Sequence, residues 1–501
     1  MKCGKGTGTR VYLISTGRGW RRKQGMRYNV DRIREVVLHL QMSQRQKRNT
    51  LWIVLGLAWP TMLEQMLQVA AQYVDSAMVG RLGAAATAAV GATSTINWMV
   101  GSTLSALGIG FLAFIAREYG AERYENARRA VAQSVLAAIV SGLLFTVAAL
   151  SLARFIPGWM NADPDIRPAA SKYFFIIYTP MLLRAAMVIF GTVLRASGDT
   201  RTPMKVNVLM NLVNVVLNFL LIYETRELCL LGATLRIPGA GLGVTGAAIG
   251  TAAGFAVGGM AMTAALWRHP HISPRGKSLR PDPDILKPCL RVAMPAALQR
   301  FGTSFGYVAF ASLINSLGTV STAAHAIANT AESAFYIPAY GIQTAAATLV
   351  GNASGMKDRE YMRSITRTLL ILEPSLMAVS GAVLFVLAPR MMALFTPDAE
   401  VIALGTKVLR MVAVTEPLYG IAVVLEGIFM GVGDTMYAFY CNIVGMWGVR
   451  VLGTAILVRG FGLGLTAAWG AMIAHNILLC ILFALHYRSQ RWNPLVSGEK
   501  F

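Results

Sequence analysis

Four polar side chains that could bind a cation share one face of a predicted membrane helix within residues 57–83. At about 100° per residue they lie within a sector of roughly 80°. A carboxylate that faces lipid costs several kcal/mol, so we expect this face to line a bundle interior or a wet cavity. These residues are Glu64, Gln68, Gln72 and Asp75.

Asp75 is the predicted ion-responsive group of this helix. In a poorly solvated cavity its ionised form is disfavoured, so that proton uptake or cation binding becomes linked to conformation. A structural alternative is that Asp75 caps the outer end of its helix near Arg81. For Glu64, the structural alternative is a snorkelling or glutamine-paired carboxylate.

A second polar face is predicted in the fifth span. Four asparagines follow one another at spacings of four, three and four residues, which places them on one side of a helix. Amide oxygens are hard, neutral ligands for Na⁺ and hydrogen-bond partners for a carboxyl group. We interpret this face as cavity-lining; interhelical hydrogen bonding is the alternative. The residues are Asn207, Asn211, Asn214 and Asn218.

The rest of the composition predicts a polytopic α-helical membrane protein. Of the 501 residues, 55% are hydrophobic and only 14% are charged. Apolar runs long enough to cross a bilayer recur along the chain, and spanning segments satisfy their backbone groups as helices. We predict twelve spans, near 50–79, 85–116, 130–153, 169–194, 203–223, 241–267, 286–316, 321–350, 365–388, 405–431, 437–458 and 464–487.

The net charge of +22 is distributed as expected for a membrane protein, which argues against nucleic acid as a partner. Thirteen of the 46 Lys and Arg residues precede the first span. With the N-terminus inside, the inner loops and the C-terminal tail carry 20 Lys and Arg, against about 9 in the outer loops. We therefore predict a multi-pass protein of the cell inner (plasma) membrane with both termini in the cytoplasm.

The two halves of the chain repeat at an offset of 235 residues. Pro60 corresponds to Pro295, and the sequence Gly-Asp-Thr at 198–200 corresponds to 433–435. Equivalent spans six apart share one orientation, so the repeat is parallel and predicts two pseudo-symmetric six-helix lobes. The domains are a basic, disordered N-terminal extension (1–48), an N-lobe (49–268), a cytoplasmic linker (269–285), a C-lobe (286–488) and a tail (489–501).

The acids of the second half differ from those of the first. The repeat places Phe310 opposite Asp75, and Gln299 opposite Glu64. We predict that Glu332 and Glu416 line the cavity instead. An alternative is that they form structural ion pairs with the arginines inside spans, which are Arg184, Arg300 and Arg450.

Nothing in the sequence indicates catalysis. Gly-Leu-Gly-Val-Thr-Gly at 241–246 matches a dinucleotide fingerprint, but no strand precedes it and a near copy recurs at 462. The glycines at 246, 250, 254 and 258 instead predict close helix packing. The five cysteines show no metal or disulfide spacing. We predict a protein that is not an enzyme, has no cofactor and draws energy from an ion gradient.

Several motifs resemble the multidrug and toxic compound extrusion (MATE) family. They are P-x-x-x-E-Q at 60–65, V-D-S-A-M-V-G-R-L-G at 74–83, A-S-G-D-T-R-T-P at 196–203 and V-G-D-T at 432–435. The resemblance covers about residues 50–488. It implies alternating access and export of amphiphilic, often cationic drugs or toxic metabolites in exchange for Na⁺ or H⁺. The partners would be these small molecules and the bilayer, with the protein acting as a monomer.

By position, Asp75 is similar to the ion-coupling aspartate of the family's first helix, and Asn214 and Asn218 match its fifth-helix polar pair. A possible Na⁺ would bind these three residues. Pro60 and Pro295 are the predicted hinges. One branch of the family has an aspartate at the position of Asn218, and another has a seventh-helix glutamate that this chain lacks. The alternative function is a flippase for lipid-linked oligosaccharides or polysaccharide precursors, from the same wider exporter group.

Overall fold

The computed structural model describes the backbone of residues 25–160, 162–230 and 233–497, and the side chains of 50–160, 162–225 and 238–497. The first helix begins at Gly25, inside the segment predicted to be a disordered extension. Residues 1–24 of that extension, and the last four residues of the tail, lie outside the described residues.

The described part of the N-terminal half contains seven helices longer than one turn, and a β-hairpin lies between the last two of them. The elements are α1 (Gly25–Gly80), α2 (Ala84–Gly120), α3 (Tyr124–Leu152), the single turn α4 (Ile156–Trp159), α5 (Arg167–Tyr178), α6 (Met181–Ala196), α7 (Arg201–Leu221), β1 (Glu224–Leu230), β2 (Ala233–Ala240) and α8 (Gly243–Arg268).

The C-terminal half has the same plan, with a π-helical interruption near its end. Its elements are α9 (Pro283–Asn315), α10 (Thr319–Met356), α11 (Arg359–Phe395), α12 (Ala399–Val432), α13 (Thr435–Ile443), a π-helical stretch (Val444–Val451), α14 (Leu452–Ala455), a second π-helical stretch (Ile456–Gly460), α15 (Leu465–Ser489) and α16 (Pro494–Ser497).

The predicted polytopic helical fold is confirmed. Within the described residues, eight helical segments are long and apolar enough to cross a membrane. The pair α5 and α6 forms a ninth span, bent by 53°, at a break that contains Pro180, which cannot donate a backbone hydrogen bond and so favours a kink or break there. The long helices α1, α9 and α10 complete the predicted twelve.

Among the described residues, the hairpin of β1 and β2 is the one departure from helical secondary structure. It is antiparallel, with Leu228 opposite Leu235, and it occupies the connection between the predicted spans 203–223 and 241–267. The alternation of polar and apolar residues in this stretch is too short to distinguish a hairpin from a loop.

The sequence repeat is visible in the backbone. Gly83 and Gly318, which are 235 residues apart, have φ of 103° and 97°. The same offset joins Gly198 and Gly433, with φ of 88° and 82°. Such values are readily adopted only by glycine, so both halves make the same turns between the same helices.

The lobes meet where the C-terminal ends of α2 and α10 cross, and we call this contact the seam. A Cβ atom at Gly120 would lie 2.1 Å from the carbonyl oxygen of Asn352, and one at Gly355 would lie 2.0 Å from that of Arg117. The two glycines are themselves related by the repeat. Their lack of a side chain allows two backbones to touch.

The opposite ends of the same helices are open. In α2, most residues from 104 to 120 are buried, whereas most from 84 to 103 are exposed or half-buried. The lobes are therefore closed at the seam and apart at the N-terminal ends of α2 and α10. A space between the lobes follows from this shape.

The two predicted hinge prolines lie inside continuous helices, Pro60 in α1 and Pro295 in α9. The hydroxyl of Thr61, next to Pro60, donates to the carbonyl oxygen of Gly341 in the other lobe at 2.9 Å. A contact between lobes therefore adjoins Pro60. The hinge role of both prolines stays a prediction.

Candidate functional site

Asp75 and Asn218 bring the two predicted polar faces together. Asp75 lies on α1 and Asn218 on α7, and the Asn218 amide Nδ2 donates to Asp75 Oδ1 at 2.7 Å. The first and fifth spans are therefore neighbours at this depth. Asn218 is only 1% exposed, and Asp75 is half-buried, so this carboxylate has limited contact with solvent.

Asn214 lies one turn from Asn218 and is also buried. Its Nδ2 donates to Thr251 Oγ1 on α8 at 3.1 Å. The amide oxygens of Asn214 and Asn218 are buried and accept no hydrogen bond. Buried polar atoms are normally satisfied, and amide oxygens are ligands that suit a hard cation. The Asn218 oxygen lies toward Gly250 while its Nδ2 faces Asp75, so this amide has to turn before its oxygen lies next to the carboxylate. We call Asp75, Asn214 and Asn218 the Asp75 cluster.

The glycine face of α8 makes this arrangement possible. A Cβ atom at Gly250 would lie 2.1 Å from the Asn218 side-chain oxygen, and one at Gly254 would lie 3.2 Å from the Asn214 Cβ atom. The close helix packing predicted from the glycine spacing is therefore confirmed. It encloses the asparagines between α7 and α8.

Glu64 has a cationic partner that the sequence did not indicate. Arg195 Nη1 on α6 lies 3.1 Å from Glu64 Oε1, and the Asn207 amide donates to the same carboxylate at 2.8 Å. Glu64 is buried, so its charge is held by a guanidinium and an amide. Both structural alternatives for Glu64, a snorkelling and a glutamine-paired carboxylate, are wrong in this structure.

The remaining members of the N-lobe faces do not join the Asp75 cluster through any described hydrogen bond. Gln68 and Gln72 are exposed on α1. Asn211 is half-buried, and its Nδ2 atom has no hydrogen-bond partner. The cavity-lining role of these three residues stays a prediction.

The large cavity of the described structure lies mainly against the C-lobe, with a volume of about 640 Å³. The N-lobe contributes only the first half of α2, including Trp98. Both C-lobe acids predicted to line a cavity, Glu332 and Glu416, are in its wall, whereas Glu64 and Asn207 are not. Asp75, Asn214 and Asn218 are also outside the wall. The cavity and the Asp75 cluster are therefore separate sites.

Aromatic rings cover much of the cavity wall. The ring of Tyr336 meets those of Tyr340 and Tyr419 edge-on, with centroids 5.9 Å apart in both cases. The hydroxyl oxygens of Tyr340 and Tyr419 are 3.0 Å apart. Tyrosine faces attract organic cations, and carboxylates in the same wall add to that attraction. These tyrosines carry no periodic polar signal, so the sequence analysis missed them.

A further acid of the cavity wall, Glu426 on α12, is held by amides alone among its described hydrogen bonds. Gln299 and Gln343 donate to it at 2.6 and 2.9 Å, and Asn442 donates at 3.3 Å. By the repeat, Gln299 corresponds to Glu64 and Asn442 to Asn207. The C-lobe therefore keeps a half-buried carboxylate next to the same asparagine position but supplies it from another helix.

A multi-carboxylate or thiolate metal centre is absent from the described residues, which contain no group of three or more His, Cys, Asp and Glu side chains suited to a metal.

Comparisons with known proteins place these features in a family. The family model described as MatE matches residues 60–220 and 295–456, one match in each lobe. The chain is 28% identical to the probable multidrug resistance protein NorM of Thermotoga maritima, over 88% of this chain and 92% of that protein. It is 25% identical to the probable multidrug resistance protein YpnP of Bacillus subtilis, over 87% and 94%.

Solved structures show the same fold. The outward-facing conformation of a multidrug resistance MATE family transporter matches with a TM-score of 0.82 and 22% identity, over 89% of this chain and 97% of that one. A MATE structure in the bent conformation matches with a TM-score of 0.82 and 22% identity, over 91% and 98%. Both likenesses extend over nearly the whole described chain.

Proposed function

The chain belongs to the MatE family of multi-pass membrane transporters, as its sequence motifs indicated, and we propose that it is a secondary antiporter. It exports amphiphilic cations, including drugs, in exchange for Na⁺ or H⁺. The names of its relatives, which describe probable multidrug resistance proteins, support this substrate class.

The cavity between the lobes is the observation that carries the proposal. It is large enough for a drug-sized molecule, its wall combines Glu332 and Glu416 with tyrosine rings, and the seam closes it at one end. A cation with an aromatic body finds both charge and ring faces there. Separation of the seam and closure at the other end would present the same wall to the other side of the membrane.

The Asp75 cluster is the proposed coupling site. When Asp75 carries no ion, the Asn218 amide donates to it. A half-turn of that amide would present an oxygen instead, which suits a bound Na⁺ beside the carboxylate and the free oxygen of Asn214. Protonation of Asp75 is the equivalent event for H⁺. Either event changes the charge that α1 and α7 share.

The loop charges set the proposed orientation. With both termini in the cytoplasm of a cell whose inner (plasma) membrane holds the protein, the seam lies at the cytoplasmic end. The cavity then faces outward, in the state from which substrate leaves and the coupling ion enters. This agrees with an export cycle.

The experiment is transport by the full chain, purified and reconstituted in liposomes, with a Na⁺ gradient or a pH gradient imposed separately. We expect uphill movement of ethidium or norfloxacin under one of the two gradients, which identifies the coupling ion. Protein-free liposomes are the control. Absence of movement under both gradients would reject the antiport proposal.

The flippase alternative predicts a different result in the same vesicles, namely transfer of a lipid-linked oligosaccharide between leaflets without an ion gradient. Such a substrate carries phosphates and calls for a mainly basic cavity. The wall described here holds Glu332, Glu416 and Glu426 against Arg300 and Arg450. The balance of charge favours export of cations.

A further inference from the structure

Arg450 is a buried guanidinium in the cavity wall that the coupling mechanism does not use. It lies in the π-helical stretch Val444–Val451 and is 5% exposed. It is among the residues that line the cavity between the lobes. Wide π-helical turns commonly occur at functional sites, because they displace side chains from regular helical positions.

Arg450 forms no close ion pair among the described residues, and the acid that attracts it, Glu332 of the same cavity wall, acts from beyond ion-pair distance. Its guanidinium lies 4.7 Å from the ring centroid of Tyr307 and 4.4 Å from that of Phe310, and Nη2 contacts the Met472 sulfur at 3.0 Å. The ion pairs of the described residues do not include it. Its Nε atom is buried without a hydrogen-bond partner.

A second unpartnered donor lies one helical turn further along α15. His475 follows Met472 by three residues, which places it on the same face. It is 4% exposed, lines the cavity, and both of its ring nitrogens lack a hydrogen-bond partner. Gly445 makes room for it, since a Cβ atom there would lie 2.8 Å from His475 Nε2.

Two unsatisfied buried donors are costly unless a ligand supplies acceptors, because they have lost their hydration and Glu332 attracts Arg450 without a direct hydrogen bond. A carboxylate supplies both a negative charge and the acceptors. The two rings next to the guanidinium, Tyr307 and Phe310, suit a carboxylate that is attached to an aromatic body.

We propose that Arg450 and His475 form an anion-binding site for the carboxylate of a zwitterionic amphiphile. The cationic end of the same molecule lies toward Glu332 and Glu416. This inference rests on the proposed function, since it assumes that the cavity holds the exported substrate. It narrows the substrate class from cations in general to molecules with charge of both signs.

The test is binding of a matched dye pair to the purified full chain in detergent, followed by fluorescence polarisation. Tetramethylrhodamine carries a free carboxylate, and its methyl ester differs in lacking that charge. The wild-type protein should bind the acid at least as tightly as the ester. Arg450→Gln should weaken the acid by about tenfold or more, as expected for a lost charge-assisted hydrogen bond, and leave the ester within about twofold.

Two further variants separate binding from a structural role. Arg450→Lys should retain part of the preference for the acid, because the charge remains. Arg410→Gln removes an exposed arginine of the same lobe outside the cavity, and should change neither affinity. Equal weakening of both dyes by Arg450→Gln would overturn the proposal.

If Arg450→Gln does not fold, the affinities of the two dyes for the wild-type protein still test the proposal. If no cationic side chain binds the carboxylate of the acid, Glu332 and Glu416 repel it, and the ester binds more tightly. Binding of the ester to the wild-type protein about tenfold more tightly than the acid would overturn the proposal. His475→Phe offers a second variant, expected to weaken the acid selectively and by less.

Failure of the antiport proposal is distinguishable from failure of this one. If the dyes bind with the expected selectivity but neither crosses liposomes under an ion gradient, the antiport function fails and the anion site stands. If both dyes are transported and Arg450→Gln affects them equally, the anion site fails and the antiport function stands.

Discussion

Equivalent places in the two lobes have opposite charge. In the N-lobe, Asp75 of α1 meets the Asn218 amide of α7. In the C-lobe, the position of Asp75 is occupied by Phe310, and the ring of Phe310 lies against the guanidinium of Arg450. One scaffold, repeated, therefore presents an acid with neutral oxygens in one half and a cation with ring faces in the other.

This contrast suggests a division of tasks between the lobes. Asp75 of the N-lobe lies outside the large cavity and next to amide side chains, which suits binding of a small ion. Arg450 of the C-lobe lies in the cavity wall among aromatic rings and acids, which suits binding of a larger molecule with charged ends. We expect changes in one lobe to affect coupling and changes in the other to affect substrate binding.

The strongest test of this division is Asp75→Asn. The substitution keeps the shape of the side chain but removes the charge that would hold a cation or proton, so we expect gradient-driven dye efflux in liposomes to fall to the level of protein-free vesicles. Binding of the dye in detergent should be unchanged. Asp165→Asn, at an exposed loop position, is the matched control. Undiminished efflux by Asp75→Asn would refute the coupling assignment.

A second comparison concerns the two acids that contact repeat-related asparagines, Glu64 next to Asn207 and Glu426 next to Asn442. Glu64→Gln leaves the largely buried Arg195 without its carboxylate, and we expect a loss of about 3 kcal/mol in the free energy of unfolding. Glu426→Gln should cost only about 1 kcal/mol, because its amide partners can turn to offer oxygens.

Unfolding of the two variants in the same detergent, alongside the wild type, measures this difference. Each substitution removes one negative charge and retains the shape of the side chain, so that each serves as the control for the other. Equal losses of stability would show that Arg195 does not distinguish the N-lobe acid from its C-lobe counterpart.

The seam is where the lobes are alike, and it offers the third test. Gly120→Ala places a Cβ atom against the Asn352 carbonyl oxygen, and such overpacking costs about 1–3 kcal/mol. We expect the closed seam to become less populated. Gly355→Ala should act in the same way, whereas Gly56→Ala, which meets no atom within 4 Å, should not.

Cys289 is a native reporter for this change. It is buried at the start of α9, where its carbonyl oxygen would lie 2.3 Å from a Cβ atom at Gly110 of the other lobe. In a variant that retains this cysteine alone, a membrane-impermeant maleimide should label it faster when Gly120 is alanine. Unchanged labelling would show that the seam tolerates the methyl group without opening.

The effect of Glu416→Gln on substrate binding is also expected to be small. It removes one of several carboxylates in the cavity wall, so the methyl ester of tetramethylrhodamine should bind about tenfold more weakly, a change of about 1.4 kcal/mol. The same variant should still respond to an ion gradient at saturating dye. Loss of coupling with unchanged binding would reverse the proposed division between the lobes.

Much of this arrangement could be predicted from helical periodicity. The phases of Asp75 and Asn218 predicted that each lies on a polar face of its own helix, and the glycine spacing predicted that another helix approaches α8 closely. Both depend only on which residues share a face, and the helical repeat fixes that. The twelve spans were predicted from the length of the apolar runs, which the thickness of the bilayer determines.

Pairings between helices could not be predicted in this way. The partnership of Glu64 with Arg195 depends on the relative rotation and depth of α1 and α6, and neither is contained in the period of one helix. The π-helical turn that carries Arg450 departs from the regular repeat altogether. The three tyrosines of the cavity wall come from two helices, Tyr336 and Tyr340 from α10 and Tyr419 from α12, so no single stretch of sequence reveals the group.

The seam has one more consequence, for the conditions under which the protein works. Its closest contacts, at Gly120 and Gly355, join uncharged backbone atoms, and contacts of this kind are not screened by dissolved salt. Their contribution to closure should therefore be the same in dilute and concentrated electrolyte. The backbone contacts that close the seam should therefore not depend on the ionic strength on either side of the membrane.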